Sequence, residues 1–225
     1  MSIGFTRLAG AVAAGLFAAS AAHAQTAGSL LLRGGATQIR PNVSSGDLSA
    51  PSPAGTQIDV KSASQAGGGI TMMLSDNVAV DIPLALPFTH DIVGAGAIAG
   101  SGKLGEVKAL PFTLLGQYRF LQASSTVRPY VGGGLTYARF FKERSTAALS
   151  GLTGGTPANP TTLKVESKFA LSLQAGASVA LNDHWFVDAC LVHTFLKTRT
   201  TLSTGQTLDA KLDPNAISLA VGYRF

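Results

Sequence analysis

Apolar side chains alternate with small or polar ones along most of this chain. In the segment ISLAVGYRF, residues 217–225, every odd position is apolar or aromatic and every even position is small or charged. Successive side chains on a β-strand point to opposite faces, so this segment is predicted to be a strand with one apolar face. The same pattern predicts eight strands, at residues 29–40, 57–74, 77–89, 108–121, 128–141, 164–181, 185–197 and 214–225.

The connections between the predicted strands alternate between short and long. The short ones are residues 75–77, 122–127 and 182–184, and the long ones are residues 41–56, 90–107, 142–163 and 198–213. This arrangement is typical of bacterial outer-membrane barrels, whose strands of about ten residues cross the bilayer at a tilt. We therefore predict an all-β fold: an eight-stranded antiparallel transmembrane β-barrel with short periplasmic turns and long extracellular loops.

Charged and amide side chains fall opposite the apolar face. A soluble barrel turns its apolar face inward, whereas a barrel in lipid turns it outward and encloses the polar face. Aromatic residues near the strand ends favour the membrane barrel, because Tyr and Trp prefer the membrane–water interface. These aromatics are Phe88, Tyr118, Phe120, Tyr137, Trp185, Phe195 and Tyr223. The residues predicted to face the lumen are Arg33, Asp81, Leu115, Gln117, Arg119, Gln174, Asp188 and Arg224.

Residues 1–24 have the features of a secretory signal. One basic residue, Arg7, precedes an apolar stretch at residues 8–22, and the small-x-small sequence Ala22-His23-Ala24 follows. We predict cleavage after Ala24, which leaves a barrel domain at residues 25–225. The predicted location of that domain is the outer membrane of a Gram-negative cell.

The amino-acid composition argues against several classes of function. Charged residues make up 13% of the chain, about half the usual share, and Lys and Arg form no run, so nucleic-acid binding is not indicated. The single cysteine, Cys190, excludes an internal disulfide. The four histidines show no metal-ligand spacing. The sequence therefore predicts no cofactor and no metal site.

Four segments together resemble the OmpW family of outer-membrane proteins. They are DNVAVDIPLALPFTHDI (76–92), LPFTLLGQYRF (110–120), RPYVGGGLTYARFF (128–141) and LDPNAISLAVGYRF (212–225). The resemblance implies an eight-stranded barrel whose hydrophobic channel takes small apolar molecules across the outer membrane, as in AlkL-type members. It also implies that Phe225, with Tyr223, is a signal for the outer-membrane assembly machinery.

Three prolines on two neighbouring strands suggest a route out of the barrel. Pro83 and Pro87 lie on the third predicted strand, and Pro111 lies on the fourth. Proline has no N–H to donate, so the pairing of this hairpin is expected to weaken. One interpretation is a lateral gap through which an apolar molecule leaves the lumen for the bilayer. The other is that these prolines end strands or sit at bulges beside the loop at 90–107.

The function predicted from the sequence is passive, non-enzymatic uptake of small hydrophobic molecules, and two alternatives remain open. A lipid A-modifying enzyme would use His90, Asp91 and Ser101, although nucleophilic chemistry needs a spatial constellation. A structural or surface barrel would bind host, phage or lipopolysaccharide, whose phosphates suit basic side chains. The basic candidates are Lys103, Lys108, Lys142 and Arg144. The inward charges are expected to pair, Asp81 and Asp188 with Arg33, Arg119 or Arg224, as a structural network or as a plug that blocks the periplasmic end.

Overall fold

The computed structural model describes residues 25–225, so the predicted signal segment at residues 1–24 lies outside the described part. Within residues 25–225 the chain forms fourteen β-strands and one short helix, α1 (Ala147–Thr153). The strands are β1 (Leu30–Arg40), β2 (Ser44–Ser45), β3 (Thr56–Val60), β4 (Ala63–Met73), β5 (Val78–Ala85), β6 (Phe88–Gly96), β7 (Lys103–Arg119), β8 (Val127–Ser145), β9 (Leu163–Val165), β10 (Lys168–Ala180), β11 (Trp185–Thr194), β12 (Lys197–Leu202), β13 (Thr207–Lys211) and β14 (Asn215–Arg224). No helix in this part of the chain is long and apolar enough to cross a membrane.

The strands close into an eight-membered antiparallel barrel, which confirms the predicted fold. The staves, in order, are β1, β4, β5 continued by β6, β7, β8, β10, β11 and β14, and β14 pairs back onto β1. Every pairing around the ring is antiparallel. Closure gives the backbone N–H and C=O groups of the edge strands hydrogen-bond partners, which lipid could not provide.

Rings of aromatic side chains mark both edges of the membrane-facing surface. At the end with the short turns, Trp185 contacts Tyr223 at 5.1 Å between ring centroids. At the other end, Tyr137 contacts Phe169 at 4.7 Å, and Phe195 lies outward immediately after the end of β11, the strand that begins at Trp185. The ten residue steps from Trp185 to Phe195 span about 33 Å along the strand, or about 25 Å at a tilt of about 40°. This height matches the hydrocarbon core that such a barrel spans.

The long connections contain more strand than the sequence predicts. The strand expected at 77–89 continues through β6 to Gly96, and its neighbour begins at Lys103 rather than at residue 108. The loop expected at 198–213 is the hairpin of β12 and β13, which forms a second sheet with β2 and β9. These extensions stand above the barrel and pack an apolar core of their own, which includes Leu104, Leu149 and Leu208.

Phe88 is the one residue of the predicted aromatic set that faces inward. Its side chain is fully buried and stacks on His90. The prediction assumed unbroken alternation along the third strand, but β5 ends at Ala85 and β6 begins at Phe88. The break at Leu86 and Pro87 reverses the facing of the residues that follow it.

Candidate channel and lateral opening

A buried ion pair crosses the lower half of the lumen. The two terminal nitrogens of the Arg33 guanidinium each donate to a carboxylate oxygen of Asp81 at 2.8 Å. Thr71 also donates to Asp81 at 2.6 Å, and the amide of Gln174 donates at 3.0 Å. Asp81 is fully buried, and four donated hydrogen bonds offset the cost of holding its charge away from water.

The network continues across the lumen to the other strands. The hydroxyl of Tyr130 donates to Asp188 at 3.0 Å, and Nε of Arg33 lies 3.7 Å from the same carboxylate. Gln117 donates to Gln174 at 2.7 Å. We call this buried layer the polar floor; it comprises Arg33, Thr71, Asp81, Gln117, Arg119, Tyr130, Gln174 and Asp188.

Arginines fill the periplasmic end beneath the carboxylates. Arg119 donates to Gln25 at 2.8 Å and to Ser178 at 3.1 Å, and its guanidinium lies 4.6 Å from the centre of the Tyr130 ring. Arg128 donates to the backbone oxygens of Gln25 and Asp76. Of the three arginines predicted as partners of the carboxylates, Arg33 makes the contacts with both Asp81 and Asp188.

Arg224 lies apart from the polar floor. Its guanidinium donates to the backbone oxygen of Asp183, in the turn before β11. The side chain is buried against this turn at the periplasmic rim, not at the level of Asp81. The other predicted lumen residues do lie inside the barrel, and Leu115, the single apolar member, is 1% exposed.

Glycines on the strands leave room for the long side chains of the floor. A methyl group at Gly69 would lie 2.6 Å from the Arg33 guanidinium, and one at Gly176 would lie 2.5 Å from the Tyr130 hydroxyl. Both distances are too short for a real side chain. The glycines of β4 and β10 therefore allow Arg33 and Tyr130 to cross the lumen.

Above the floor lies a ring of hydroxyl groups. Thr113 contacts Thr136 at 2.8 Å, Thr136 contacts Ser172 at 2.6 Å, and Ser172 contacts Thr194 at 2.8 Å. These hydroxyls satisfy one another, so they present little unpaired polarity to the space above them. The ring separates the charged floor from an apolar upper lumen.

The upper lumen contains a cavity of about 130 Å³. An apolar cavity of about 150 Å³ binds benzene, so this volume suits a molecule of roughly that size. Its wall is largely apolar and includes Ile39, Phe88, Val107, Ala138 and Leu196. A second, apolar cavity of about 50 Å³ lies among the extracellular extensions and shares wall residues with the first, namely Ile58, Ile92 and Thr200.

The wall beside this cavity is unpaired along one seam. On β5 and β7 the last paired residues are Asp81 and Leu115, and pairing resumes at Phe88 and Ala109 on β6 and β7. Between these points, residues 82–87 face residues 110–114, six against five. We call this stretch the seam. The described residues show no strand pairing across it.

The three predicted prolines all lie on the seam. Pro83 and Pro87 belong to one side and Pro111 to the other. Pro83 and Pro111 also line the upper cavity, together with Leu84, whose side chain is half exposed on the membrane face. The cavity therefore reaches the outer wall where the ladder is interrupted.

His90 and Asp91, two of the residues considered for lipid A chemistry, point to opposite faces of β6. His90 is buried in the upper lumen, and its Nδ1 is hydrogen-bonded to the Lys61 carbonyl at 2.8 Å. Asp91 points to the other face of β6 and pairs with Lys103 at 2.7 Å. Within the described residues, no group of three or more His, Cys, Asp or Glu side chains could hold a metal ion.

Several lumen residues are not evident from the sequence. Arg128 and Tyr130 were not identified; both are buried on even positions of β8, whereas the odd positions Val131 and Leu135 are exposed on the outer face. The hydroxyl ring was also missed. Threonine and serine occur on both faces of strands, so only the three-dimensional register brings Thr136 between Thr113 and Ser172.

The fold, the apolar belt and the filled lower lumen define a small outer-membrane β-barrel. A model described as the OmpW family matches residues 26–225, and the chain belongs to that family. Outer membrane protein W of Vibrio cholerae is 34% identical over 202 residues, covering 88% of this chain and 89% of that protein. The crystal structure of the outer membrane protein OprG from Pseudomonas aeruginosa has a TM-score of 0.80 at 28% identity, covering 90% of this chain and 98% of that one.

A further relative carries a more specific name. The dibenzothiophene metabolism operon protein PahQ of Pseudomonas aeruginosa is 30% identical over 155 residues, covering 68% of this chain and 67% of that protein. These comparisons confirm the predicted family and the outer-membrane location of this chain.

Proposed function

We propose that this barrel is a passive, non-enzymatic channel that takes small hydrophobic molecules into the outer membrane and releases them sideways. The observation that carries the proposal is the coincidence of an apolar cavity with an unpaired seam in the wall beside it. Dibenzothiophene, which appears in the name of the relative PahQ, is an apolar aromatic molecule, and this is the chemical class that a largely apolar cavity wall suits.

The entry route in this proposal runs through the extracellular extensions. An apolar molecule first contacts the apolar core that Leu104, Leu149 and Leu208 form above the barrel. It then passes Ile58 and Ile92, which line both cavities. Each step exchanges one apolar surface for another, so the molecule avoids the cost of returning to water.

The exit in this proposal is sideways because the axial path is filled. A molecule that moved straight down would have to displace the buried pair of Arg33 and Asp81 and leave charged groups without partners. A molecule that moves across the seam crosses no paired ladder, because no strand pairing joins residues 82–87 to residues 110–114. The bilayer beyond it is as apolar as the cavity.

A reversible cross-link across the seam tests this function. In a Cys190→Ser background, Leu84→Cys and Phe112→Cys place thiols on the two sides of the seam, and oxidation joins them as a disulfide. Leu114→Cys with Leu135→Cys is the matched control, because Leu114 and Leu135 already face each other across an intact ladder. Dibenzothiophene uptake into cells is then measured before and after linkage.

The two pairs should behave differently. We expect linkage across the seam to abolish the uptake that the barrel adds, reduction of the disulfide to restore it, and the control linkage to leave it unchanged. Uptake that persists with a fully linked seam would refute the lateral exit. Equal uptake in cells with and without the unlinked barrel would refute the channel function itself and favour a structural role.

A further inference from the structure

A cluster of cations lies on the outer surface of the barrel, where β12 and β13 continue the staves above the membrane. It forms a shallow groove that four basic and two acidic side chains line. We call it the cationic groove; its charged residues are Glu166, Lys168, Lys197, Arg199, Asp209 and Lys211. None of them contributes to the lumen or the seam.

Two lysines of the groove oppose each other directly. Lys197 on β12 and Lys211 on β13 are paired residues of the antiparallel ladder, and both side chains point outward. Like charges directly opposite on a sheet destabilise it. Lys211 contacts Asp213 at 2.9 Å, whereas Lys197 forms no ion pair within residues 25–225.

The carboxylates of the groove are already engaged. Arg199 makes a bidentate contact with Asp209, both nitrogen–oxygen distances being 2.7 Å, and Lys168 contacts Glu166 at 2.7 Å. Neither carboxylate therefore neutralises Lys197. The groove carries surplus positive charge at the place where the two lysines face each other.

The groove stands at the outer edge of the membrane-facing surface. Lys197 follows the outward-facing Phe195 by two residues, or about 7 Å along the strand. Phe195 and Phe169 belong to the outer aromatic ring, which marks the boundary between hydrocarbon and headgroups. The ammonium of Lys197 consequently lies at the height where the phosphates of outer-leaflet lipids lie.

We propose that the cationic groove binds a phosphate of lipid A, the lipid anchor of lipopolysaccharide. A phosphate between Lys197 and Lys211 accepts hydrogen bonds from both ammonium groups and replaces their repulsion with attraction. Its acyl chains then lie along the apolar surface below, beside Phe169 and Phe195. This role is independent of the proposed channel, since the groove is on the outside of the wall.

Native mass spectrometry of the purified full chain in detergent tests this proposal. The variant Lys197→Gln with Lys211→Gln is compared with Lys142→Gln with Arg144→Gln, which removes the same charge from the top of β8. The ligands are bisphosphorylated lipid A, dephosphorylated lipid A and inorganic phosphate. The heat-modifiable shift on gels checks that each variant is folded.

We expect the groove variant to bind bisphosphorylated lipid A roughly thirtyfold more weakly, since each lysine near an anionic lipid surface contributes a factor of about five. The control variant should bind like the parent protein, and dephosphorylated lipid A should not distinguish the three. Equal losses in both variants, or unchanged binding in the groove variant, would overturn the proposal. Displacement of lipid A by millimolar inorganic phosphate would overturn the choice of lipid A as the ligand.

Discussion

Replacing Arg33 with glutamine tests whether the polar floor holds the barrel together. The substitution removes both hydrogen bonds from the guanidinium to Asp81 and the 3.7 Å contact with Asp188. Glutamine is too short and carries no charge, so both carboxylates lose their shared cation. Thr71 and Gln174 still donate to Asp81, and Tyr130 still donates to Asp188.

The expected loss in the free energy of unfolding is about 3 kcal/mol. Hydrogen bonds to a charged group contribute about 1.5–3 kcal/mol each, and breaking a buried ion pair costs about 3–5 kcal/mol. We place Arg33→Gln at the lower end because the remaining donors keep Asp81 partly satisfied. Adding Asp81→Asn should recover part of the loss, since it removes the buried charge that Arg33 no longer balances.

Urea unfolding in phospholipid vesicles measures these free energies through the fluorescence of Trp185, the only tryptophan of the chain. Arg40→Gln is the control, because Arg40 is exposed and lies outside the lumen. A loss below about 1 kcal/mol for Arg33→Gln would contradict the reasoning. So would a double variant that is less stable than Arg33→Gln alone, because the pair would then not act as a unit.

Two further predictions concern the cavity and the extracellular hairpin. Ala138→Phe should fill much of the upper cavity and lower dibenzothiophene uptake severalfold while the gel shift stays normal; unchanged uptake would argue against this cavity as the path. The hydrogen bond from Arg199 lowers the pKa of Asp209 in the folded protein. The pair therefore stabilises the hairpin fully at a pH above the pKa that Asp209 has in the unfolded chain. This stabilisation is lost as the pH falls through the pKa that Asp209 has in the folded protein. Amide-exchange protection of β12 and β13, corrected for intrinsic rates, should therefore fall in acid, and Arg199→Gln should remove that change; high salt should weaken it as well, because both side chains are exposed.

The alternation of side chains was sufficient to predict the transmembrane part of the fold. Lipid favours apolar residues on the outer face of every stave. Along β10 and β14, exposed outward positions therefore alternate with buried inward positions almost without exception. The facing of Arg33, Asp81 and Asp188 followed from the same pattern. The contacts among them did not, because a face assignment does not say which inward residues meet across the lumen.

The extracellular hairpin of β12 and β13 was missed because the pattern reverses above the membrane. On β12 and β13, Leu202 and Leu208 point inward, whereas Lys197 and Arg199 point outward. Water replaces lipid outside, and the loop core replaces the polar floor inside. The apolar residues of the outer face therefore end near the outer aromatic ring, although the strands continue beyond it. The charged residues at 197–211 are the feature of the sequence that indicates this continuation.

The inward turn of Phe88 has the same origin as the seam. β7 keeps a constant facing from Val107 to Arg119, whereas the strand opposite it reverses its facing at Leu86 and Pro87. Two adjacent strands cannot keep one ladder when only one of them reverses, so the interruption must lie between them. The prolines occupy positions where a missing N–H costs little, because no partner carbonyl is in register. Phe88 then fills part of the upper lumen beside the interruption, and the polar floor fills the lumen below it. The unfilled space therefore lies next to the unpaired wall, because the space below it is already occupied by the polar floor.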